Sequence, residues 1–134
     1  MKWIINKLIK KKDVYLRVTT CERLLVDDQQ RMFNEISALP EWTDGMPILF
    51  DNRLLDLSVS DSNLIRDSVQ VLLNFCRKNP ATKIAGLVDS TVNFGFGRQF
   101  EIIFEIEGGV KFHLFRDEIQ ALGWLMQPEL GSLE

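Results

Sequence analysis

The sequence predicts an α/β fold: a five-stranded mixed sheet with a mostly parallel core and an N-terminal hairpin. Three observations lead to this prediction. Apolar segments of strand length alternate along the chain with segments of helical periodicity. All four prolines fall between such segments. The resulting order is β-β-α-β-α-β-α-β-α, and strands that alternate with helices form βαβ units around a parallel sheet.

Length and composition favour one folded domain over residues 1–134. Apolar residues make up 46% and charged residues 26% of the chain, a balance that allows a packed core without disulfides or a metal. Residues 127–134 follow the last predicted helix and are expected to form a flexible tail. The net charge of −3 argues against a nucleic-acid partner.

The sequence also predicts a cytoplasmic location. No apolar run approaches the ~20 residues that a membrane span needs, and lysines interrupt any signal-peptide core near the N-terminus. Cys21 and Cys76 are isolated thiols, which suit a reducing compartment. His113 is the single histidine, so we expect neither a zinc site nor a catalytic triad, and no cofactor.

The first two strands are predicted at 3–9 and 14–20, because apolar and polar side chains alternate in both segments. Five of the first twelve residues are lysines and none is acidic. We expect these lysines to form a solvated hairpin tip, and contact with an anionic surface is the alternative.

Three further strands and four helices follow. The strands are predicted at 47–51, 83–88 and 110–115, and the helices at 28–39, 61–78, 94–107 and 118–126. The pairs Asp27 with Gln30 and Asp117 with Gln120 match the capping-box pattern. Ser60 is predicted to cap the second helix, with Asp61 in its first turn.

Four segments together resemble the SpoIIAA-like family, a mostly uncharacterised bacterial branch related in fold to STAS and CRAL-TRIO domains. They are Ile-Leu-Phe-Asp at 48–51, Ser-Asp-Ser-Asn-Leu at 60–64, Phe-Gly-Phe-Gly-Arg-Gln-Phe-Glu at 94–101, and Phe-Arg-Asp followed by Ala-Leu-Gly-Trp-Leu within 115–125. The resemblance implies a β-α superhelix with a mixed sheet, and it implies no enzymatic activity.

STAS regulators carry a phosphorylatable serine at the start of the helix that corresponds to 61–78. Ser62 is the nearest residue in this sequence and is a candidate phosphosite on that resemblance. The motif lacks its glycine, because Asn63 stands in that place. A phosphate at a helix N-terminus is physically tolerated.

Two aspartates, Asp51 and Asp89, each follow a predicted parallel strand. Ligands of open α/β sheets bind beyond the carboxyl ends of the strands, where two carboxylates suit a magnesium ion or acid–base chemistry. Capping of loop amides by aspartate is the competing interpretation and the one we favour. The nearby run from Gly95 to Phe100 fails as a dinucleotide motif, since Phe100 occupies the third small-residue position.

The helix predicted at 94–107 carries four phenylalanines. On a helical wheel Phe96, Phe100 and Ile103 form its core stripe, whereas Phe94 and Ile102 point away. Trp124 is also off the main stripe of the last helix, which is predicted to comprise Ile119, Leu122, Leu125 and Met126. The candidate partner or ligand surface therefore comprises Phe94, Phe96, Arg98, Ile102 and Trp124.

These patterns predict a non-enzymatic binding or regulatory domain that acts through protein contacts, with a homodimer as one form of such contact. The alternative function is the binding of a lipid or another small apolar ligand under the 94–107 helix.

Overall fold

The computed structural model describes residues 1–10 and 12–127. Lys11 in the predicted hairpin tip and residues 128–134 of the predicted tail lie outside this part of the chain. The strands are β1 (Lys2–Lys10), β2 (Asp13–Arg23), β3 (Ile48–Asp56), β4 (Ile84–Leu87) and β5 (Phe112–Phe115). The helices are α1 (Val26–Ala38), α2 (Ser62–Lys78), α3 (Thr91–Ile106) and α4 (Glu118–Leu125).

The predicted element order and sheet type are confirmed. The strands lie in the order β1-β2-β3-β4-β5, with β1 antiparallel to β2 and every other neighbouring pair parallel. Because the parallel strands are sequential in space and crossovers are right-handed, α1, α2 and α3 fall on one face of the sheet. The fourth helix follows the last strand and packs on the opposite face, against β3, β4 and β5.

Alternation along the strands divides the core between these two faces. Even-numbered strand residues such as Leu16, Ile48 and Phe50 pack under α1, α2 and α3. Odd-numbered residues such as Leu49 and Leu87 pack under α4. The first face holds the larger core, since three helices cover it and only one covers the second.

The third strand is longer than predicted. It continues past residue 51 to Asp56, because β2 also continues and pairs with it beyond an irregularity between Thr19 and Cys21. The polar pair Asn52 and Arg53 hid this continuation from the hydrophobic pattern. Asp51 consequently lies inside β3 and not in a loop after it.

The predicted caps of the first two helices are wrong. The first helix begins at Val26 without a side-chain cap, and Asp27 stands in its first turn, where a carboxylate favours the helix dipole. The second helix is capped by Asp61, whose Oδ1 accepts the Leu64 N–H at 2.8 Å. Ser60 is buried instead. The predicted cap of α4 is confirmed: Asp117 Oδ1 accepts the N–H of Ile119.

The third helix begins three residues before its predicted start at 94. Ser90 caps it by accepting the Asn93 N–H at 3.0 Å. The side chain of Asn93 then bonds the backbone of Leu55 and Leu57 at the end of β3. Thr91 and Val92 are β-branched, so the sequence gives the first turn of α3 a low helix propensity. The long-range hydrogen bonds of Asn93 stabilise that turn.

The predicted core stripe of α3 packs against the core, but the most buried residues of the helix lie beside that stripe. Phe104 is fully buried, and Glu101 is 3% exposed, whereas Phe96, Phe100 and Ile103 are only partly buried. The helix therefore turns its Gly97–Glu101–Phe104 side inward. Gly97 permits this orientation, because a Cβ there would lie 2.9 Å from Leu114 Cδ2.

Candidate functional site

A cavity of about 100 Å³ lies between the sheet and the helices α1, α2 and α3. Its lining on the sheet side extends from the first residues of β4 and β5, Ile84 and Phe112, to Val88 just after β4. Phe50, Leu55 and Val88 line it from the sheet side, and Leu72, Phe96 and Phe100 line it from α2 and α3. The partial burial of Phe96 and Phe100 follows from this position, since both rings face the cavity.

Most polar groups at the cavity wall are bonded to one another. Thr20 Oγ1 donates to Asn52 Oδ1 at 2.5 Å, and Ser68 Oγ donates to Gln29 Oε1 at 2.7 Å. Ser60 is the exception: its Oγ is buried and has no hydrogen-bond partner among residues 1–10 and 12–127. Over those residues the lining contains no ionisable side chain. Met1 also lines the cavity, and its terminal ammonium is paired with Asp28 Oδ2 at 3.0 Å. The described wall is therefore mostly apolar and without an unpaired charge, and it carries one free hydroxyl.

Ser60 is the functional candidate that the sequence analysis missed. The residue stands one position before the true cap, Asp61, and its serine side chain matched the cap pattern. A cap commonly accepts the N–H of the third helical residue, which lies three positions after it. Asp61 has this spacing, because its Oδ1 accepts the N–H of Leu64. Only the packing of α2 on the sheet sends the Ser60 hydroxyl inward.

The predicted surface residues of α3 separate into different environments. Phe96 lines the cavity, Ile102 is 46% exposed, and Arg98 forms an ion pair with Glu101. Phe94 is half-buried under the guanidinium of Arg116, with 4.5 Å between Arg116 Cζ and the ring centroid. These residues therefore do not form one continuous patch.

Trp124 is half-buried on the other face of the sheet. Its ring packs edge-on against His113 at 4.8 Å and also contacts Phe115. Lys83 lies over the same ring at 5.2 Å, while its Nζ donates to the carbonyl of Trp124 at 3.1 Å. The Trp124 ring thus covers the β4–β5 side of the sheet. Ile119, which is predicted on the core stripe of α4, is instead 77% exposed.

The two candidate carboxylates have different surroundings. Asp51 is buried, and its Oδ2 is 2.6 Å from Arg17 Nη2 and 2.8 Å from Arg53 Nη2. Hydrogen bonding from Arg53, aided by Arg17, holds the pKa of Asp51 below its usual value. Arg17 also pairs with Glu118 at the start of α4, at 2.7 Å. Asp89 is exposed, two residues after the end of β4.

This arrangement turns Asp51 into the acceptor of two guanidinium groups. A carboxylate that is already neutralised in this way is a poor ligand for a magnesium ion. Its effect on structure is to join β2, β3 and the start of α4 on the sheet face that carries α4.

Ser62 and the cysteines complete the predicted positions. Ser62 is the first residue of α2 and is exposed, so its hydroxyl is accessible at the helix N-terminus. Cys21 and Cys76 are free thiols. Burial raises the pKa of Cys76 to about 11, which keeps that thiol protonated and unreactive at neutral pH.

No protein-family model matches the sequence, and no curated protein matches it. Among solved structures, the chain is similar to an uncharacterised protein of the DUF3478 family from Shewanella loihica PV-4, which has a SpoIIAA-like fold. The two chains share 21% sequence identity with a TM-score of 0.60, over 92% of this chain and 93% of the other. The fold of this protein is therefore SpoIIAA-like, as the sequence motifs predict.

None of the helices within residues 1–10 and 12–127 combines the length and the apolar character needed to cross a membrane.

Proposed function

We propose that this protein is a binding domain whose ligand is a small, uncharged, largely apolar molecule held in the cavity between the sheet and α1, α2 and α3. The observation that carries the proposal is the unpartnered Ser60 hydroxyl in an otherwise apolar wall. A ligand that fills the space and bonds this hydroxyl removes two unfavourable features at once.

The energetics of an empty cavity favour occupancy. Protein interiors are packed about as densely as organic crystals, and voids larger than a water molecule are few. At about 24 cal/mol per Å³, a cavity of about 100 Å³ lowers stability by about 2 kcal/mol. The buried hydroxyl adds about 1–3 kcal/mol for its lost hydrogen bond with water.

The cavity also limits the class of ligand. A cavity of about 150 Å³ in an engineered lysozyme binds benzene, so a space of this order holds a single ring or a short branched chain. A neutral wall disfavours an ionised ligand, since a charge there has no partner. We therefore narrow the expected apolar ligand from a whole lipid to a compact molecule with one hydroxyl or carbonyl group.

Phenol is a suitable probe, because it combines a ring with one hydroxyl. Calorimetric titration of the purified protein with phenol is expected to show one saturable site. Ser60→Leu fills the cavity and removes the hydroxyl, so this variant is expected to lose phenol binding. Ser62→Leu changes an exposed serine two residues away and is expected to bind phenol as the wild type does.

The native ligand is sought separately by native mass spectrometry of gently purified protein, which is expected to show a small additional mass that Ser60→Leu lacks. Equal phenol binding by wild type and Ser60→Leu, or no binding by the wild type together with a spectrum free of added mass, contradicts the proposal.

A second candidate function is self-association through the outer face of α3. Three exposed apolar side chains share this face of the helix: Val92, Ile102 and Ile106. Gly95 lies on the same face and is also exposed. A Cβ at Gly95 would meet open space, so this position forms a notch in the face. In an antiparallel pair of copies centred on Gln99, Val92 lies opposite Ile106, and Ile102 lies within one residue of the position opposite the Gly95 notch.

Light scattering tests this second function. Ile102→Asp is expected to make the protein monomeric at concentrations where the wild type is dimeric. Ile119→Asp places the same charge on an exposed isoleucine of α4 and is expected to leave the dimer intact. A wild type that is monomeric at high concentration overturns this candidate without affecting the cavity proposal.

A further inference from the structure

A second group of side chains lies outside the cavity, between α3 and the edge strand β5. Glu101 and Glu105 are one helical turn apart on α3, and His113 projects from β5. One ligand-type atom from each of the three lies within 4.8 Å of the others. We propose that Glu101, Glu105 and His113 form a binding site for a divalent transition-metal ion such as Zn²⁺ or Mn²⁺.

The geometry between Glu101 and His113 suits two ligands of one ion. Glu101 Oε2 and His113 Nδ1 are 3.3 Å apart. Two ligand atoms each about 2.1 Å from a tetrahedral ion lie about 3.4 Å from each other. An ion between them therefore needs little movement of either group, and Glu105 closes on it from the next turn of the helix.

The chemistry of the three groups fits this class of ion. An imidazole nitrogen with two carboxylate oxygens is a common donor set for Zn²⁺ and Mn²⁺, and it leaves further coordination positions open to water or a ligand. Binding through Nδ1 leaves the proton of neutral His113 on Nε2. Two carboxylates against the one guanidinium of Arg98 leave a net negative charge, which favours a dication electrostatically.

Supporting interactions already orient the buried ligand. Glu101 is 3% exposed, and its Oε2 accepts the Leu114 N–H at 2.9 Å, while its Oε1 pairs with Arg98. Carboxylates that bind metals are held by such outer hydrogen bonds. Trp124 packs edge-on against the His113 ring and fixes its plane.

A tight turn brings the two elements together. Gly108 has φ +89°, and a Cβ at Gly109 would lie 2.4 Å from the Phe104 ring, so the chain passes close beneath α3 before β5 begins. The single histidine of the sequence predicts no zinc site when it is taken alone. The sequence signal for this cluster is a pair of glutamates at i and i+4, followed by a histidine beyond a Gly-Gly turn.

Arg98 is the cation that competes for the site. Its guanidinium occupies one oxygen of Glu101 and leaves the other facing His113. Removing this positive charge is expected to tighten metal binding, because the local potential becomes more negative. This sign distinguishes a metal site from a purely structural cluster, in which loss of Arg98 has no such effect.

The test is calorimetric titration with Zn²⁺ and, separately, NMR line broadening by Mn²⁺. We expect one Zn²⁺ site and broadening centred on residues 101, 105 and 113. Glu105→Gln changes an exposed side chain and is expected to weaken Zn²⁺ binding at least tenfold. Glu107→Gln removes a nearby exposed glutamate outside the cluster and is expected to bind as the wild type does. Arg98→Gln is expected to bind several-fold more tightly.

Folding of each variant is checked by circular dichroism. A wild type that binds neither ion overturns the proposal. It is overturned equally by Zn²⁺ binding that Glu105→Gln retains in full, or by Mn²⁺ broadening centred elsewhere, because either result means that the ion binds at another surface position.

Discussion

The carboxylate of Glu101 accepts the backbone N–H of Leu114 at 2.9 Å, which joins α3 to the edge strand β5. An edge strand presents backbone groups that no neighbouring strand pairs. Here a helix side chain takes the place of that neighbour for one amide. This bond gives a physical reason for the orientation of α3, since it requires Glu101 to face the sheet and not the solvent.

Loss of this acceptor is expected to destabilise the protein. Glu101→Leu leaves the Leu114 amide and the Arg98 guanidinium without their partner and is expected to lower the free energy of unfolding by about 2 kcal/mol. Glu101→Gln keeps an amide oxygen for Leu114 and is expected to cost less. Urea denaturation measures both, and equal losses for the two variants contradict the role assigned to the hydrogen bond.

The two glycines of α3 are expected to respond oppositely to alanine. Gly97→Ala places a methyl group 2.9 Å from Leu114 Cδ2 and is expected to destabilise the fold by about 1–2 kcal/mol. Gly95→Ala meets open space and is expected to stabilise it by about 0.5–1 kcal/mol through helix propensity. Thermal denaturation at low protein concentration compares the pair. Similar shifts for both variants are incompatible with the observed contact.

The ion pairs of Asp51 give the stability a defined pH dependence. Because Arg53 and Arg17 hold the pKa of Asp51 below its usual value, its contribution is complete above the unfolded pKa of about 3.9. The contribution is lost as the pH falls through the lower folded pKa.

Asp51→Asn is therefore expected to lower the free energy of unfolding by about 2 kcal/mol at pH 7. The difference from wild type is expected to shrink below about pH 4, because the carboxyl of the unfolded chain binds a proton there while the folded one is still ionised. Urea denaturation as a function of pH measures the gap. A gap that stays constant down to pH 3 is the result that rules out this assignment.

The inward side of α3 is tested by two phenylalanines. Phe104 is fully buried against the ring of Phe112, with 5.6 Å between ring centroids, so Phe104→Ala is expected to cost about 4 kcal/mol. Phe94 is half-buried under Arg116, and Phe94→Ala is expected to cost about 1 kcal/mol. Chemical denaturation ranks the two, and a larger loss for Phe94→Ala than for Phe104→Ala contradicts the burial of Phe104 in the core.

The sequence by itself determined the element order, the sheet type and the N-terminal hairpin. These depend on local periodicity and on turn residues, which act within a few positions of one another. The SpoIIAA-like fold is predicted separately, by the resemblance of four segments that hold mostly caps and core positions in a fixed order.

Only the tertiary structure decided that Glu101 is buried, that Ser60 is a cavity residue, and that Glu101 meets His113. The physical reason is the same in each case. Hydrophobic periodicity assigns a glutamate or a serine to the surface, but a hydrogen-bond donor or a space supplied by a distant strand or helix reverses that preference. Such partners lie more than ten residues away, beyond the range at which sequence spacing carries information about contact.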